Sequence, residues 1–153
     1  NWEWTQMEQS ASRIIRNAGS WYEHIYVYDG YTNKGEVLGS SIGPGSNSHY
    51  ISLNKIKKNE IIGIGIEIVD NDNDFYHEAF ASAKDYRRYW KDLNFDLSFS
   101  KYYKNFSVSA NIVYIRSLNY QWELDDTREP YYMPGNDIDN FHLDFKLTFF
   151  GFD

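Results

Sequence analysis

The run Asp70-Asn71-Asp72-Asn73-Asp74 puts a carboxylate at every second position of an oxygen-rich stretch, with Glu78 close behind. Hard cations such as Ca²⁺ take ligands of this kind. An EF-hand loop needs Gly at its sixth position and Glu at its twelfth; here those are Phe75 and Ala81, so that motif is excluded. Asp70, Asp72 and Asp74 remain a looser Ca²⁺ candidate beside the plainer reading of a solvated acidic turn. A second cluster follows in Tyr86-Arg87-Arg88-Tyr89-Trp90. Aromatic faces stack on sugar rings, and guanidinium groups fork acidic sugars or phosphates. Arg128, Tyr131 and Tyr132 repeat that chemistry further along. The competing reading makes all of these interfacial anchors, with Tyr and Trp at headgroup level and Arg on lipopolysaccharide phosphate.

The third candidate is acid–base. Of the four histidines, His142 lies two residues from Asp144 and four from Lys146, so in an extended strand all three share one face. A base needs a nucleophile or water within reach, which spacing alone does not supply. No Gly-x-Ser-x-Gly is present, and there is no cysteine to serve as nucleophile or thiolate ligand. The expectation is therefore a non-enzymatic chain without a cofactor. In it, Glu67, Asp96, His142, Asp144 and Lys146 form a polar lining, which in a channel would tune passage of a solute.

These residues must be positioned by strands. Phe141-His142-Leu143-Asp144-Phe145-Lys146-Leu147-Thr148-Phe149 alternates strictly between apolar and polar, the period of a strand with one greasy and one wet face. Leu93 to Phe99, Ile62 to Ile68 and Phe106 to Trp122 alternate likewise; Arg116 interrupts the apolar parity of the last, and Val113 and Ile115 its polar one. The pattern predicts strands at 2–9, 21–29, 47–56, 60–70, 91–102, 106–122 and 138–150. Between them, 30–46, 71–90 and 123–137 are long connections, while 57–59 and 103–105 are short turns of Lys, Tyr and Asn. Long loops at one end and short turns at the other is the habit of outer-membrane barrels. Only the first connection, 10–20, is longer than the rule wants.

Composition agrees. Aromatics make up 19% of the 153 residues, with 14 Tyr and 10 Phe, an excess that aromatic girdles would use. No stretch approaches the ~20 apolar residues of a transmembrane helix, and a negative mean hydropathy does not count against strands that hide half their side chains from lipid. The net charge of -7 argues against a nucleic-acid partner. Seven strands is an odd number for a single-chain barrel, so the expectation is an all-β, antiparallel up-and-down transmembrane barrel of which residues 1–153 are the carboxy-terminal part, with no internal domain boundary. A lipocalin-like soluble barrel, apolar inside, stays open because alternation does not say which face is inward.

Between the second and third predicted strands runs Gly30-Tyr31-Thr32-Asn33-Lys34-Gly35-Glu36-Val37-Leu38-Gly39, then Gly43-Pro44-Gly45-Ser46-Asn47. No Gly-Lys-Ser/Thr ending is present, so it is no phosphate cradle. The stretch resembles the Gly-Tyr-Thr-x-x-Gly-x-x-Leu-Gly…Gly-Pro-Gly-Ser-Asn signature of the Wzi-type capsule-assembly family in its Bacteroidetes form. Trp4-Thr5-Gln6-Met7-Glu8, Trp21-Tyr22-x-His24 and Gly135-Asn136-Asp137 are similar to the same family. The resemblance implies a longer outer-membrane barrel, its long loops outside the cell. It also implies a non-catalytic role in binding or organising capsular or exopolysaccharide. The expected partners are outer-membrane lipid, lipopolysaccharide and surface polysaccharide, with further outer-membrane subunits an open possibility. A porin-like or transport-complex barrel is the alternative. Gly30, Tyr31, Gly35, Leu38, Gly39, Gly43, Pro44 and Gly45 read as architectural rather than ligand-contacting.

Overall fold

The computed structural model describes residues 1–9, 26, 31–34, 36–81, 84–85, 87–123 and 135–150. Six strands form one antiparallel sheet in the order β1 (Trp2–Gln6), β4 (Asn47–Lys57), β5 (Glu60–Asn71), β6 (Trp90–Tyr102), β7 (Phe106–Leu118) and β8 (Ile138–Phe149). β2 (Thr32–Asn33) and β3 (Glu36–Val37) make a separate two-stranded hairpin. From β4 onward each strand pairs with its neighbour in the chain, an up-and-down sheet. It is not closed: among the described residues β1 and β8 stand at opposite edges.

The first connection is where the expectation fails. β1 pairs directly with β4, Trp2 opposite Ile51 and Gln6 opposite Asn47, so no strand from 21–29 lies between them. That segment falls outside the described residues except for Tyr26, which stands in a bend. Among the described residues β1 and β4 are neighbours in the sheet, and the small β2–β3 hairpin lies between them in the chain. β1 also ends at Gln6 rather than residue 9. There Met7 N–H donates to Ser46 O (2.9 Å) and Gly45 N–H to Met7 O (3.2 Å), tying the chain to the Gly-rich loop. β7 ends at Leu118 rather than residue 122, because Asn119 takes a left-handed conformation (φ 51°) and a 3₁₀ turn, Tyr120–Trp122, follows.

The five long strands have 11 to 13 residues, about twice the usual length in water-soluble sheets. Their registers stack the alternating residues into rows. On one face Trp2, Ile51, Ile66, Phe95, Tyr114 and Phe141 are successive partners, and Leu53, Ile64, Leu97, Ile112 and Leu143 form the next row. On the other face Tyr50, Glu67 and Asn94 run together, then Ser52, Gly65 and Asp96, then Asn54, Gly63 and Ser98.

Burial runs opposite to hydrophobicity. Ile51 is 57% and Leu53 68% exposed, while Ser48 and Ser52 on the polar side of the same strand are 5% and 6% exposed. Among the described residues Val69 is the one buried large apolar side chain. The packed side of this sheet is its polar side. Gly63 and Gly65 allow this: a Cβ at Gly65 would strike the Asp96 carboxylate and the Tyr50 hydroxyl, and one at Gly63 the Asn54 and Ser98 side chains. The two glycines let long polar neighbours lie down over β5.

Candidate functional site

The apolar face has defined ends. On β5 and β6 it is bracketed by two ion pairs: Lys91 Nζ to Asp70 Oδ1 at 2.8 Å and Lys101 Nζ to Glu60 Oε2 at 3.7 Å. Ile62, Ile64, Ile66 and Ile68 stand between Glu60 and Asp70. Ten residues at ~3.3 Å each span ~33 Å along the strand. The same boundary accounts for Arg116: it sits opposite Asp139, with its Nη2 3.3 Å from Asp137 Oδ2. Tyr103 stacks on Phe106 at 4.5 Å near the short-turn end, and Phe149 follows at 6.3 Å.

The long-loop end divides into two halves. On the β6–β7 side, α1 (Asn73–Tyr76), a π-helical turn (His77–Ala81) and the 3₁₀ turn bring aromatic rings together. Phe75 and Trp122 are 4.6 Å apart, Trp90 lies 5.2 Å from Trp122 and 5.3 Å from Tyr120, and Phe80 meets Phe75 edge-on. Tyr120 and Trp122 therefore do not extend the apolar row of β7. The arginines are engaged as well. Arg87 Nε and Arg88 Nε donate to the two oxygens of Asp85 at 3.0 and 3.1 Å. Arg88 Nη1 also donates to Trp122 O, and its guanidinium lies 5.6 Å from the Phe80 ring centre. The Arg87 guanidinium holds the Asp85 carboxyl below its ordinary range, with Arg88 adding to the effect. Trp90 Nε1 donates to Asp92, which also accepts from Asn71. Arg88 and Trp90 thus serve the loop's own packing, leaving Arg87 the more exposed of the three. Tyr86, Arg128, Tyr131 and Tyr132 fall outside the described residues.

On the β1–β4–β5 side the Gly-rich loop is stitched down. Gly43 (φ 81°) and Gly45 (φ 69°) occupy the left-handed region, which glycine reaches without steric cost. Gly45 also has no room for a side chain, because a Cβ would strike the Asp72 carboxylate. Asp72 N–H donates to Ser46 Oγ (3.0 Å) and Asn73 N–H to Gly45 O (2.8 Å). Pro44 O accepts from Ser46 Oγ, and Leu38 N–H reaches Tyr31 O across the small hairpin. Gly39 is exposed, while Gly30 and Gly35 fall outside the described residues. Gly135 has a similar role further on, packed so tightly against Asn119 that no Cβ fits.

The acidic run does not converge. Asp70 pairs with Lys91, Asp72 caps α1 by accepting from Phe75 N–H at 3.0 Å, and Asp74 accepts from Gln9 N–H at 3.1 and 3.2 Å. Among the described residues no three His, Asp or Glu side chains form a group that would hold a metal. Burial pushes the Asp72 carboxyl up, against the lowering effect of the Phe75 N–H. The polar lining is also divided. Glu67 accepts from Asn94 Nδ2 at 3.0 Å, and Asp96 meets the Tyr50 hydroxyl. His142, Asp144 and Lys146 stand on exposed edge strand β8, opposite Val113, Asn111 and Ser109. No hydrogen bond or ion pair joins them.

Sequence reasoning missed a cleft of about 270 Å³ on the polar face. Glu3, Tyr50 and Glu67 form one row of its floor and Thr5 and Ser48 the next. Ser40, Ser41 and Ile42, at the start of the Gly-rich turn, close it from the other side. The signal was the shared parity of the floor residues, readable only once β1 is placed beside β4. No family model, curated protein or solved structure matches this chain.

Proposed function

We propose that these strands are part of an outer-membrane β-barrel of the Wzi-type kind that binds or organises surface polysaccharide without catalysis. One observation carries the membrane half of this reading: an exposed apolar face ~33 Å long along the strand, closed at both ends by ion pairs on one strand pair; at the ~40° tilt of a barrel strand this is ~25 Å tall. In water such a face would require a covering layer; acyl chains need none. The long connections all leave from the end bearing Asp70 and Lys91, the short turns from the end bearing Glu60 and Lys101. A lipocalin-like barrel would pack the apolar rows against each other, whereas here they are the exposed ones. The glycan half rests on the Gly-rich signature, in which Gly45 lies against Asp72, and on a loop end rich in aromatic and hydroxyl groups. Among the described residues β1 and β8 have no strand on their outer sides, which fits a larger barrel, since each unsatisfied backbone group in lipid costs several kcal/mol.

The test of orientation uses tryptophan. Trp2 and Trp4 share parity with the apolar rows, Trp4 stacked on His49, whereas Trp90 and Trp122 lie in the loop-end cluster. Single-tryptophan variants in vesicles containing brominated lipid should be quenched at positions 2 and 4 and spared at 90 and 122. Equal quenching at all four would remove the proposal. For the glycan role, deletion should release polysaccharide from cells. Solute flux through reconstituted protein, with polysaccharide retention unchanged by deletion, would favour the porin-like alternative.

A further inference from the structure

The cleft under Ser40–Ile42 belongs to none of the features discussed so far except by neighbourhood, and its chemistry is distinct. Its walls combine two carboxylates, Glu3 and Glu67, with the hydroxyls of Thr5, Tyr50 and serines at 40, 41 and 48. No lysine, arginine or histidine lines it among the described residues. Carboxylates accept hydrogen bonds and, when ionised, donate none. A ligand here must therefore bring its own donors. The Thr5, Ser41 and Ser48 hydroxyls can accept from it or donate to it. An anionic ligand would meet like charge from both sides, with Asp96 close by at the Tyr50 hydroxyl.

The cleft is also preorganised. Glu67 is held by Asn94 Nδ2 at 3.0 Å, and Tyr50 is braced over Gly65 by Asp96 and Ser52. The turn that follows the roof is tied down: Gly45 and Ser46 are bonded to Met7, just past β1, and to Asp72 and Asn73 at the head of α1, and Gly43 N–H donates to Ser40 O at 3.2 Å. Ile42 adds an apolar surface for the C–H side of a ring. The volume corresponds to about nine waters of bulk liquid, room for one sugar ring. We propose that this cleft is a subsite for a single neutral pyranose unit of a glycan, held by its hydroxyls between Glu3 and Glu67. The proposal rests on the polysaccharide reading given above and narrows it to uncharged sugars at this position.

The experiment titrates the detergent-solubilised full chain with the methyl glycosides of glucose, galactose and mannose, and with glucuronate, by ligand-observed NMR. At least one neutral glycoside should saturate, with a Kd on the order of millimolar, and glucuronate should bind at least ~10-fold more weakly. Glu67→Gln, close to isosteric, should weaken the neutral sugar by about 10-fold. Ser41→Trp should abolish binding by filling the cleft, with circular dichroism confirming an intact sheet. The proposal is overturned by no saturation below about 100 mM, by wild-type affinity in both variants, or by glucuronate binding equally well. The two readings separate cleanly. Polysaccharide retained normally by Ser41→Trp cells but lost on deletion sinks the subsite and keeps the function. Retention unchanged by deletion, alongside a saturable Glu67-dependent sugar site, sinks the function and keeps the subsite.

Discussion

The two halves of the long-loop end solve the same problem in opposite ways. On the β6–β7 side large rings fill the space: Phe75, Phe80, Trp90, Tyr120 and Trp122 interlock, and Arg88 closes over them. On the β1–β5 side the backbone does the holding, through Gly43, Gly45 and Ser46, and the space beneath stays open. Of the side chains that looked most like ligand contacts, Arg88 and Trp90 are engaged in the loop's own packing. Gly43 and Gly45 lie in the turn that follows the cleft's Ser40–Ile42 wall. Residue chemistry alone does not distinguish the halves, because a side chain's availability depends on what the other loops bring to it.

The sharpest way to break this contrast is at Gly45. Gly45→Val meets both a left-handed backbone and the Asp72 carboxylate, and should cost about 3 kcal/mol or more, measured by denaturant unfolding in detergent. Gly43→Ala has the same kind of φ but open space around it, so about 1 kcal/mol is expected. Equal costs at the two positions would mean that the close approach to Asp72 contributes nothing. Trp122→Ala should lose about 2–3 kcal/mol from the aromatic half while leaving neutral-sugar titration unchanged. If sugar binding fell with it, the halves would not be independent. Arg87→Ala is the smallest change, at most about 1 kcal/mol.

Acid should separate the halves further. Asp85 is held below its ordinary range, so its stabilising effect is present above about pH 4 and is lost as pH falls through its folded value. Asp72 is shifted the other way: its buried charge weakens the fold above its raised value, and that penalty is relieved on acidification. Hydrogen exchange corrected for intrinsic rates should show the Tyr89 amide, bonded to Arg87 O, opening in acid. The Asn73 amide, bonded to Gly45 O, should be better protected over the same range. Parallel changes at both sites would contradict the opposed shifts.

Local patterning made most of the sheet readable. The alternation in 60–70, 91–102 and 138–150 located β5, β6 and β8 to within a residue at each end, because a period of two depends only on neighbours. The pairing of β1 with β4 was not readable, since it joins residues 41 to 49 apart, Gln6 opposite Asn47 and Trp2 opposite Ile51, across a stretch whose own pattern suggested a strand at 21–29. The helical turns at Asn73–Ala81 were hidden by an Asp/Asn run that is equally at home in an irregular loop. Of the sugar-contact candidates, Arg88 and Trp90 have a partner, Trp122, from another loop, which residue spacing does not reveal. Val113 and Ile115 on the polar face have no explanation in their surroundings.

The pairs Glu60–Lys101 and Asp70–Lys91 also act as a lock against slippage between β5 and β6. Sliding β6 by two residues one way would set Lys101 beside Ile62 and Asp70 beside Leu93; the other way, Lys91 would face Ile68 and Lys101 would face Lys58. Repeated isoleucines by themselves would tolerate either shift, so four charges at the margins single out one alignment from a sequence that otherwise repeats itself.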